Sequence, residues 1–178
     1  MSIHADVFAK GRFAADGWSF VDDAAVLPEG AVFVSKARWL ADRATLAGRN
    51  GPVGLVLGPA DRLDDVAEDL SRFAAIAVRF PKYADGRGYS LARLLRERHG
   101  YRGELRAIGD ILIDQVSHFF RVGFDTLAID HEPTREQLLS GAHACQPVFY
   151  QPAVEPATGA VAGRSWLRVP YRDAWCGA

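Results

Sequence analysis

The sequence predicts an α/β protein made of repeated βα units around a mainly parallel sheet, preceded by a small N-terminal β-meander. Short, continuously apolar runs, typical of strands buried on both faces, alternate with segments that have apolar residues at helical spacing. The runs that we assign to parallel strands are residues 31–34, 53–57, 75–80, 105–108 and 124–129. Such units fit a doubly wound open sheet or an incomplete (β/α) barrel, and we favour the open sheet.

Residues 1–27 form the predicted meander, because short apolar runs alternate there with two turn signals. Lys10-Gly11 and Asp16-Gly17 each place a glycine where a tight hairpin turn needs a positive φ. A Pro- and Gly-containing break at residues 27–30 then separates the meander from the βα units, which span residues 31–150.

The first two βα units each have a predicted helix with one apolar stripe. Ser35 is placed to cap the first helix, which continues to about Ala47. Its buried stripe is predicted at Ala37, Leu40, Ala41 and Ala44. The second helix is predicted to bury Leu63, Val66, Ala67 and Leu70, and to expose Asp64, Asp65, Glu68 and Asp69.

The remaining units follow the same alternation. A loop at residues 81–88 leads from the third strand into a helix with Leu91, Leu94 and Leu95 facing inward. The next helix ends near Val122, a further helix covers about residues 134–142, and a last short strand is expected at 148–150.

Length and composition indicate an ordinary folded domain. The chain has 178 residues, of which 49% are hydrophobic and 24% charged, so it can bury a core without disulfides or metals. We assign residues 1–150 to a single α/β domain. Residues 151–178 begin with a segment rich in Pro, Ala and Gly and end in an aromatic, basic stretch, which predicts a linker and a C-terminal docking segment.

Several functional classes lack their sequence signatures. The 21 basic and 22 acidic residues nearly cancel, which argues against nucleic acid or an anionic membrane as partner. Without a signal peptide or a membrane span, the protein is expected to be cytoplasmic. Cys145 and Cys176 do not form a CxxC motif, and no flavin, nicotinamide or cluster fingerprint is present. We therefore expect no metal site and no cofactor.

The loop after the third strand is the strongest candidate for a binding site. Ligands bind at the carboxyl ends of parallel strands, and this loop combines cations, glycines and a helix N-terminus. Such a combination suits phosphate, sulfate or sulfite. The predicted ligand-binding residues are Lys82, Asp85, Arg87, Gly88 and Tyr89. The alternative is a folding element, in which the glycines make a tight turn and Arg87 is solvated.

Two carboxylates follow the fourth strand. Asp110 is at the strand end, where catalytic carboxylates often lie, although it could equally cap the next helix. Asp114 and His118 are four residues apart, which suits a general base, a pair of metal ligands or an exposed ion pair. We take Asp110 and Asp114 as the candidate catalytic residues.

One stretch resembles a known family. Residues 80–125 contain FPK, DGRGYS, RLLR, GD, DQ and GFD, and they resemble a bacterial family of unknown function whose members are described as oxidoreductases involved in sulfite reduction. The DQ motif adds Gln115 to the ligand-binding residues. Ile113 and Val122 stand where the family pattern leads us to expect arginine and cysteine, so any chemistry of those side chains would be missing here.

The resemblance implies an accessory or subunit-like protein of assimilatory sulfate or sulfite reduction, with a sulfite reductase as partner and an oxyanion-binding loop at the strand ends. A homodimer is also compatible with the sequence. The alternative is a small α/β enzyme, either an oxidoreductase or one acting on a phosphate or sulfate ligand, that uses the Lys82–Tyr89 loop and Asp110.

Overall fold

The computed structural model describes residues 6–141 and the backbone of residues 148–149 and 169–170. It has an α/β fold, as predicted, built on an eight-stranded sheet. The strands are β1 (Asp6–Ala9), β2 (Arg12–Ala15), β3 (Trp18–Phe20), β4 (Ala31–Ser35), β5 (Val53–Leu57), β6 (Ala75–Phe80), β7 (Glu104–Gly109) and β8 (Thr126–Ile129).

The helices lie between these strands. The α-helices are α1 (Lys36–Ala41), α2 (Arg43–Ala47), α3 (Arg87–Arg93), α4 (Val116–Arg121) and α5 (Glu132–Leu139). Two 3₁₀ helices, Asp64–Arg72 and Ile113–Gln115, follow β5 and β7, and α3 continues into a π-helical turn at Leu94–Arg98.

The order of the strands decides between the two predicted arrangements. The sheet runs β2-β1-β8-β7-β6-β5-β4-β3, and β3 to β8 are parallel neighbours in chain order. Because every crossover moves in the same direction, right-handed connections place the helices on one face of the sheet. A doubly wound sheet would need a reversal of strand order. The fold is therefore the incomplete barrel, and not the open sheet that we favoured.

The N-terminal meander is present only in part. Lys10 and Gly11, with φ of 49° and 79°, make the predicted tight hairpin between β1 and β2, and β1 adds antiparallel to β8. The third run, β3, instead pairs parallel with β4 at the opposite edge of the sheet. Gly17 lacks the positive φ of a hairpin turn, and Trp18 packs on Phe33 with ring centroids 4.5 Å apart.

The two edges of the sheet must lie close together. Strands β2 and β3 are at opposite ends of the strand order, yet only Asp16 and Gly17 separate them in the chain. Three residue steps reach at most about 10 Å, so the sheet has to curl toward closure. A buried ion pair crosses this link, since Arg106 of β7 donates from Nη1 to Asp16 Oδ2 at 2.6 Å.

The convex face of the curled sheet carries the main core against the helices. Ser35 caps α1 as predicted, accepting a hydrogen bond from the Arg38 backbone N–H at 3.0 Å. The predicted stripe of α1 is wrong, however, because Trp39 is buried whereas Leu40 is 42% exposed. The helix breaks at Asp42, so one continuous stripe cannot form.

Asp69 is a second correction to the predicted helix faces. We expected this carboxylate to be exposed, but the residue is only 7% exposed and accepts a hydrogen bond from Trp39 Nε1 at 2.9 Å. Arg43 lies 3.1 Å from the same oxygen, Oδ2. Asp69 therefore ties the 3₁₀ helix to α1 and α2.

The concave face has its own smaller apolar cluster. Its buried members are Phe33, Ala75, Ala77 and Ile108, and its partly buried members are Trp18, Phe20, Val56 and Ala128. A Cβ on Gly54 would lie 2.5 Å from the Phe33 ring, so this glycine lets the ring cover the sheet. The Arg106 guanidinium lies 5.1 Å from the centroid of the same ring.

The predicted last strand is present as β9 (Val148–Phe149), which pairs antiparallel with β10 (Val169–Pro170) and forms a separate two-stranded sheet. The predicted linker at residues 151–163 and both cysteines lie outside the described residues. In the part of the chain that is described, no helix has the length and apolar character needed to cross a membrane.

Candidate functional site

The loop after β6 is held against its strand by close packing at a glycine. A Cβ on Gly88 would lie 2.5 Å from Phe80 Cζ, so only glycine allows α3 to start directly on this ring. Gly88 is buried in the first turn of α3. Close packing between α3 and β6 therefore explains why this residue is glycine. Our prediction that Gly88 contacts a ligand stays untested.

A second glycine brings the ends of β6 and β7 together. Gly109 has a φ of +114°, and a Cβ there would lie 2.4 Å from the Phe80 carbonyl oxygen. The next residue, Asp110, donates its backbone N–H to that same oxygen at 3.0 Å. This contact places the Asp110 side chain beside the loop after β6.

The backbone of Tyr83 is clamped on both sides. Its N–H donates to Asp110 Oδ2 at 3.2 Å, and its carbonyl oxygen accepts a hydrogen bond from Gln115 Nε2 at 2.9 Å. Gln115 is itself oriented, because its Oε1 accepts from the Leu112 N–H at 3.3 Å. Tyr83 remains 52% exposed. Residues 81–86, which we name the Tyr83 loop, are thus tied to the segment after β7.

Asp85 in this loop and Arg87 just after it form an ion pair with two guanidinium hydrogen bonds. Arg87 Nε and Nη2 donate to the two carboxylate oxygens at 2.9 and 2.7 Å, and the Arg87 backbone N–H donates to Oδ1 at 3.2 Å. The guanidinium hydrogen bond lowers the pKa of Asp85 to about 2. An incoming oxyanion would have to displace this carboxylate to use the Arg87 fork.

Tyr89 lies on aromatic side chains beside the loop. Its ring centroid is 4.5 Å from that of His118 and 4.8 Å from that of Phe119. Burial, together with the nearby charge of Asp114, raises the pKa of Tyr89 to about 12. Tyr89 is therefore a neutral phenol at neutral pH.

His118 does not pair with Asp114. Its Nδ1 lies 2.7 Å from Arg121 Nη2, a guanidinium that can only donate, so this nitrogen acts as the acceptor. Burial first, and then the Arg121 charge, lower the pKa of His118. Asp114 is exposed and, within residues 6–141, makes no ion pair. The predicted exposed Asp114–His118 pair is therefore wrong.

The structure brings together most of the predicted site residues. The contacts between them are hydrogen bonds within the protein that hold the loop in place. Asp110 and Gln115 reach the Tyr83 loop, and Asp85 and Arg87 bond to each other. Asp110 is not a helix cap, since the following 3₁₀ helix starts after Leu112. The catalytic roles of Asp110 and Asp114 and the ligand-binding roles of the loop residues stay predictions.

Arg96 explains a further part of the motif pattern. It donates from Nη1 to the carbonyl oxygens of Tyr101 and Gly103 at 2.8 and 2.9 Å, and from Nε to that of Gly123 at 2.9 Å. Its Nη2 bonds Asp125 Oδ2 at 2.5 Å. The RLLR and GFD motifs therefore meet in a structural cluster.

The two positions that depart from the expected pattern are apolar and packed. Val122 is buried, and Ile113 packs against the core cluster on the convex face. Among the described residues, no group of three His, Cys, Asp or Glu side chains is placed to hold a metal ion.

Sequence reasoning missed the charged residues of the concave face. Arg79 of β6 and Arg106 of β7 each interrupt a strand that is otherwise mostly apolar. Glu104 Oε1 accepts hydrogen bonds from Arg106 Nε and from the Thr126 hydroxyl, at 2.9 and 2.6 Å. A charged residue inside an apolar strand is the signal that could have identified both arginines.

The comparisons with known proteins identify the family but no activity. A search of curated proteins and a search of solved structures both find no match. The family model for "Bacterial protein of unknown function (DUF934)" matches residues 54–160, from β5 past the end of the described α5. The matched segment contains the Tyr83 loop and the segment after β7 that clamps it. Because the match covers more than half of the chain, the protein belongs to this family of bacterial proteins of unknown function.

Proposed function

We propose that the protein is a non-catalytic accessory partner in bacterial sulfite reduction and that the Tyr83 loop is its docking surface. The assignment to sulfite reduction rests on the motif resemblance of residues 80–125. The preference for binding over catalysis rests on the geometry of the loop.

The observation that carries the proposal is the clamp on Tyr83. Side chains from the neighbouring segment bind both backbone polar groups of this residue, while about half of its surface remains exposed. A loop that is already ordered loses little conformational entropy when it binds. Exposed tyrosine and arginine are also the residue types that contribute most to protein–protein affinity. Tyr83 and Arg87 therefore suit the centre of a contact surface.

The same contacts weaken the case for general acid–base catalysis at this loop. A general base must lie within hydrogen-bond reach of the proton that it removes, with a pKa near the working pH. Asp85 is held near pKa 2 by Arg87, and Tyr89 near pKa 12 by burial. Asp110 Oδ2 accepts from the Tyr83 backbone.

A pull-down tests the proposal. Tagged protein is recovered from cells grown with sulfate as sole sulfur source, and the bound proteins are identified. We expect a sulfite reductase to co-purify with the wild-type protein and to be lost from the Lys82→Ala/Tyr83→Ala double variant. The matched control is Arg93→Ala, which removes an exposed cation at the end of α3 from its pair with Glu97 in the following turn. A protein that elutes alone from these cells would contradict the proposal.

The second candidate is a small enzyme acting on a phosphate or sulfur oxyanion. It is favoured by the position of the Tyr83 loop at the carboxyl end of β6, where α/β enzymes bind substrates. Turnover of an oxyanion substrate that is abolished by Asp110→Asn would support this candidate over the accessory role.

A further inference from the structure

We propose that the end of the barrel where the parallel strands start is a second docking surface, which binds an acidic surface on a partner protein. Its residues are Lys10, Arg12 and Arg102, which we name the basic end. The Tyr83 loop follows the carboxyl end of β6, so the two surfaces lie at opposite ends of the strands. The proposal goes beyond the single docking role above, because a protein with both surfaces can bridge two partners.

Strand pairing brings the hairpin between β1 and β2 to this end of the sheet. Because β1 runs antiparallel to β8, the hairpin tip that carries Lys10 lies at the end where β8 starts. Phe8 pairs with Leu127. Continuing that register sets Lys10 opposite Asp125, just before β8. Arg12 is the first residue of β2, directly after the hairpin tip.

Arg96 brings Arg102 to the same end. It bonds the Asp125 carboxylate from Nη2. From Nη1 it donates to the carbonyl oxygens on either side of Arg102, those of Tyr101 and Gly103, at 2.8 and 2.9 Å. Tyr101 is buried whereas Arg102 is exposed. Arg102 is therefore the side chain that this clamped turn presents to solvent, beside the start of β8.

The three cations of the basic end have no compensating charge. All three are exposed, and within residues 6–141 their side chains make no ion pair and no hydrogen bond. The carboxylates that β7 and the start of β8 bring to this end are already paired. Asp125 is paired with Arg96, at 2.5 Å. Glu104 is paired with Arg106, at 2.9 Å. The basic end therefore keeps its positive charge, although the whole chain has a net charge of −1.

The backbone conformation of Lys10 also indicates a contact outside the domain. Lys10 has a φ of 49°, a left-handed conformation that glycine, asparagine and aspartate adopt more readily than lysine. Lysine at this turn therefore costs stability, and its ammonium group gains no contact in return among the described residues. Backbone strain of this kind clusters at functional sites. Binding to a partner would supply the missing contact.

Order and charge together set the class of partner. A hairpin and a clamped turn carry the cations on backbone that is already ordered, so binding loses little conformational entropy. Complementary charge speeds association and excludes partners of the same sign, so the fitting partner is acidic. Nucleic acid is a poorer match, because domains that bind it are usually strongly basic and this chain has 21 basic and 22 acidic residues.

Fluorescence anisotropy of the full chain with fluorescein-labelled poly-L-glutamate as the probe tests the proposal. We expect binding in low salt that weakens as salt is added. Lys10→Glu/Arg102→Glu should weaken binding in low salt by about tenfold or more. The matched control is Arg62→Glu/Arg93→Glu, which changes the net charge equally but reverses two exposed cations that already have carboxylate partners. It should change the affinity by less than about threefold.

Three outcomes would overturn the proposal. The wild-type protein does not bind the probe, or the control weakens binding as much as Lys10→Glu/Arg102→Glu does. In the third, labelled oligothymidylate binds more tightly than polyglutamate and is lost in the same variant, which would assign the surface to nucleic acid.

A second variant and a second readout separate folding from binding. Arg102→Gln removes one charge from an exposed side chain without adding another, so it should fold and bind the probe about threefold or more weakly. It decides the test if the double variant lacks a cooperative melting transition. The sulfite reductase pull-down should be unchanged by Lys10→Glu/Arg102→Glu, whereas Lys82→Ala/Tyr83→Ala should lose the reductase and keep the probe. Each proposal can therefore fail without the other.

Discussion

Asp16→Asn should destabilise the protein far more than the loss of an ordinary surface charge would. Asp16 lies in the two-residue link between the edges of the sheet, and its side chain is 4% exposed. Its Oδ2 bonds Arg106 Nη1 at 2.6 Å, and its Oδ1 accepts from the Trp18 backbone N–H at 3.1 Å. Asparagine keeps the shape and the second bond, but it removes the charge that faces a 2% exposed guanidinium.

The expected loss is about 3 kcal/mol of unfolding free energy. Removing one partner of a buried ion pair typically costs roughly 3–5 kcal/mol, because the other charge stays buried without compensation. The lower end applies here, since Glu104 still pairs with Arg106 at 2.9 Å. With a urea m-value of about 2 kcal/mol per molar, the unfolding midpoint should fall by about 1.5 M.

Urea unfolding followed by circular dichroism measures this shift. Asp64→Asn is the matched control, because it removes a similar contact, to Arg62 at 2.7 Å, between two exposed side chains. That variant should leave the midpoint unchanged. Replacing both buried partners, as Asp16→Leu/Arg106→Met, should recover much of the stability that Asp16→Asn loses. A midpoint shift below about 0.5 M for Asp16→Asn would refute the reasoning, since it would mean that the buried pair is readily replaced by solvent.

Three further predictions concern the segments around the Tyr83 loop. Gly109→Ala should lower the free energy of unfolding, measured in urea, by about 2–3 kcal/mol. The reason is that alanine would have to adopt a φ of +114° and place its Cβ 2.4 Å from the Phe80 carbonyl oxygen. Unchanged stability would contradict this geometry. Gln115→Ala should speed amide hydrogen exchange in residues 82–85 with little change in global stability, because it releases the Tyr83 carbonyl; equal exchange rates would argue against the clamp. Burial raises the pKa of Tyr89 to about 12 from 10.0, so the unfolded chain loses this proton first as pH rises. The stability contributed by neutral Tyr89 is therefore complete below pH 10 and lost toward pH 12. Tyr89→Phe should reduce the slope of that part of a stability-against-pH curve, and the remaining slope comes in part from Tyr101, whose pKa burial also raises.

Patterns within short stretches of sequence were enough to predict most of the elements. Continuous apolar runs identified five parallel strands, because such strands are buried on both faces. Ser35 was identified as a helix cap because a hydroxyl three residues before a free backbone N–H is a local arrangement. The Lys10-Gly11 hairpin could be predicted for the same reason, because the φ angles of a turn depend on its own residues.

Contacts between distant segments decided the rest, and these leave no local pattern. The carboxylate of Asp69 is predicted to be exposed, yet it is buried against Trp39, which is 30 residues away in the chain. The functional candidates depended equally on tertiary structure, because Asp110 and Gln115 reach Tyr83 from the next βα unit.

The sequence by itself determined an α/β protein with a mainly parallel sheet, a hairpin at its start and a distinctive loop after β6. Only the tertiary structure decided that this sheet is an incomplete barrel with a concave face that carries Arg79 and Arg106. The physical reason is that strand order and curvature depend on pairings across the whole chain. The bond between Asp16 and Arg106, which are 90 residues apart in sequence, is the clearest of these.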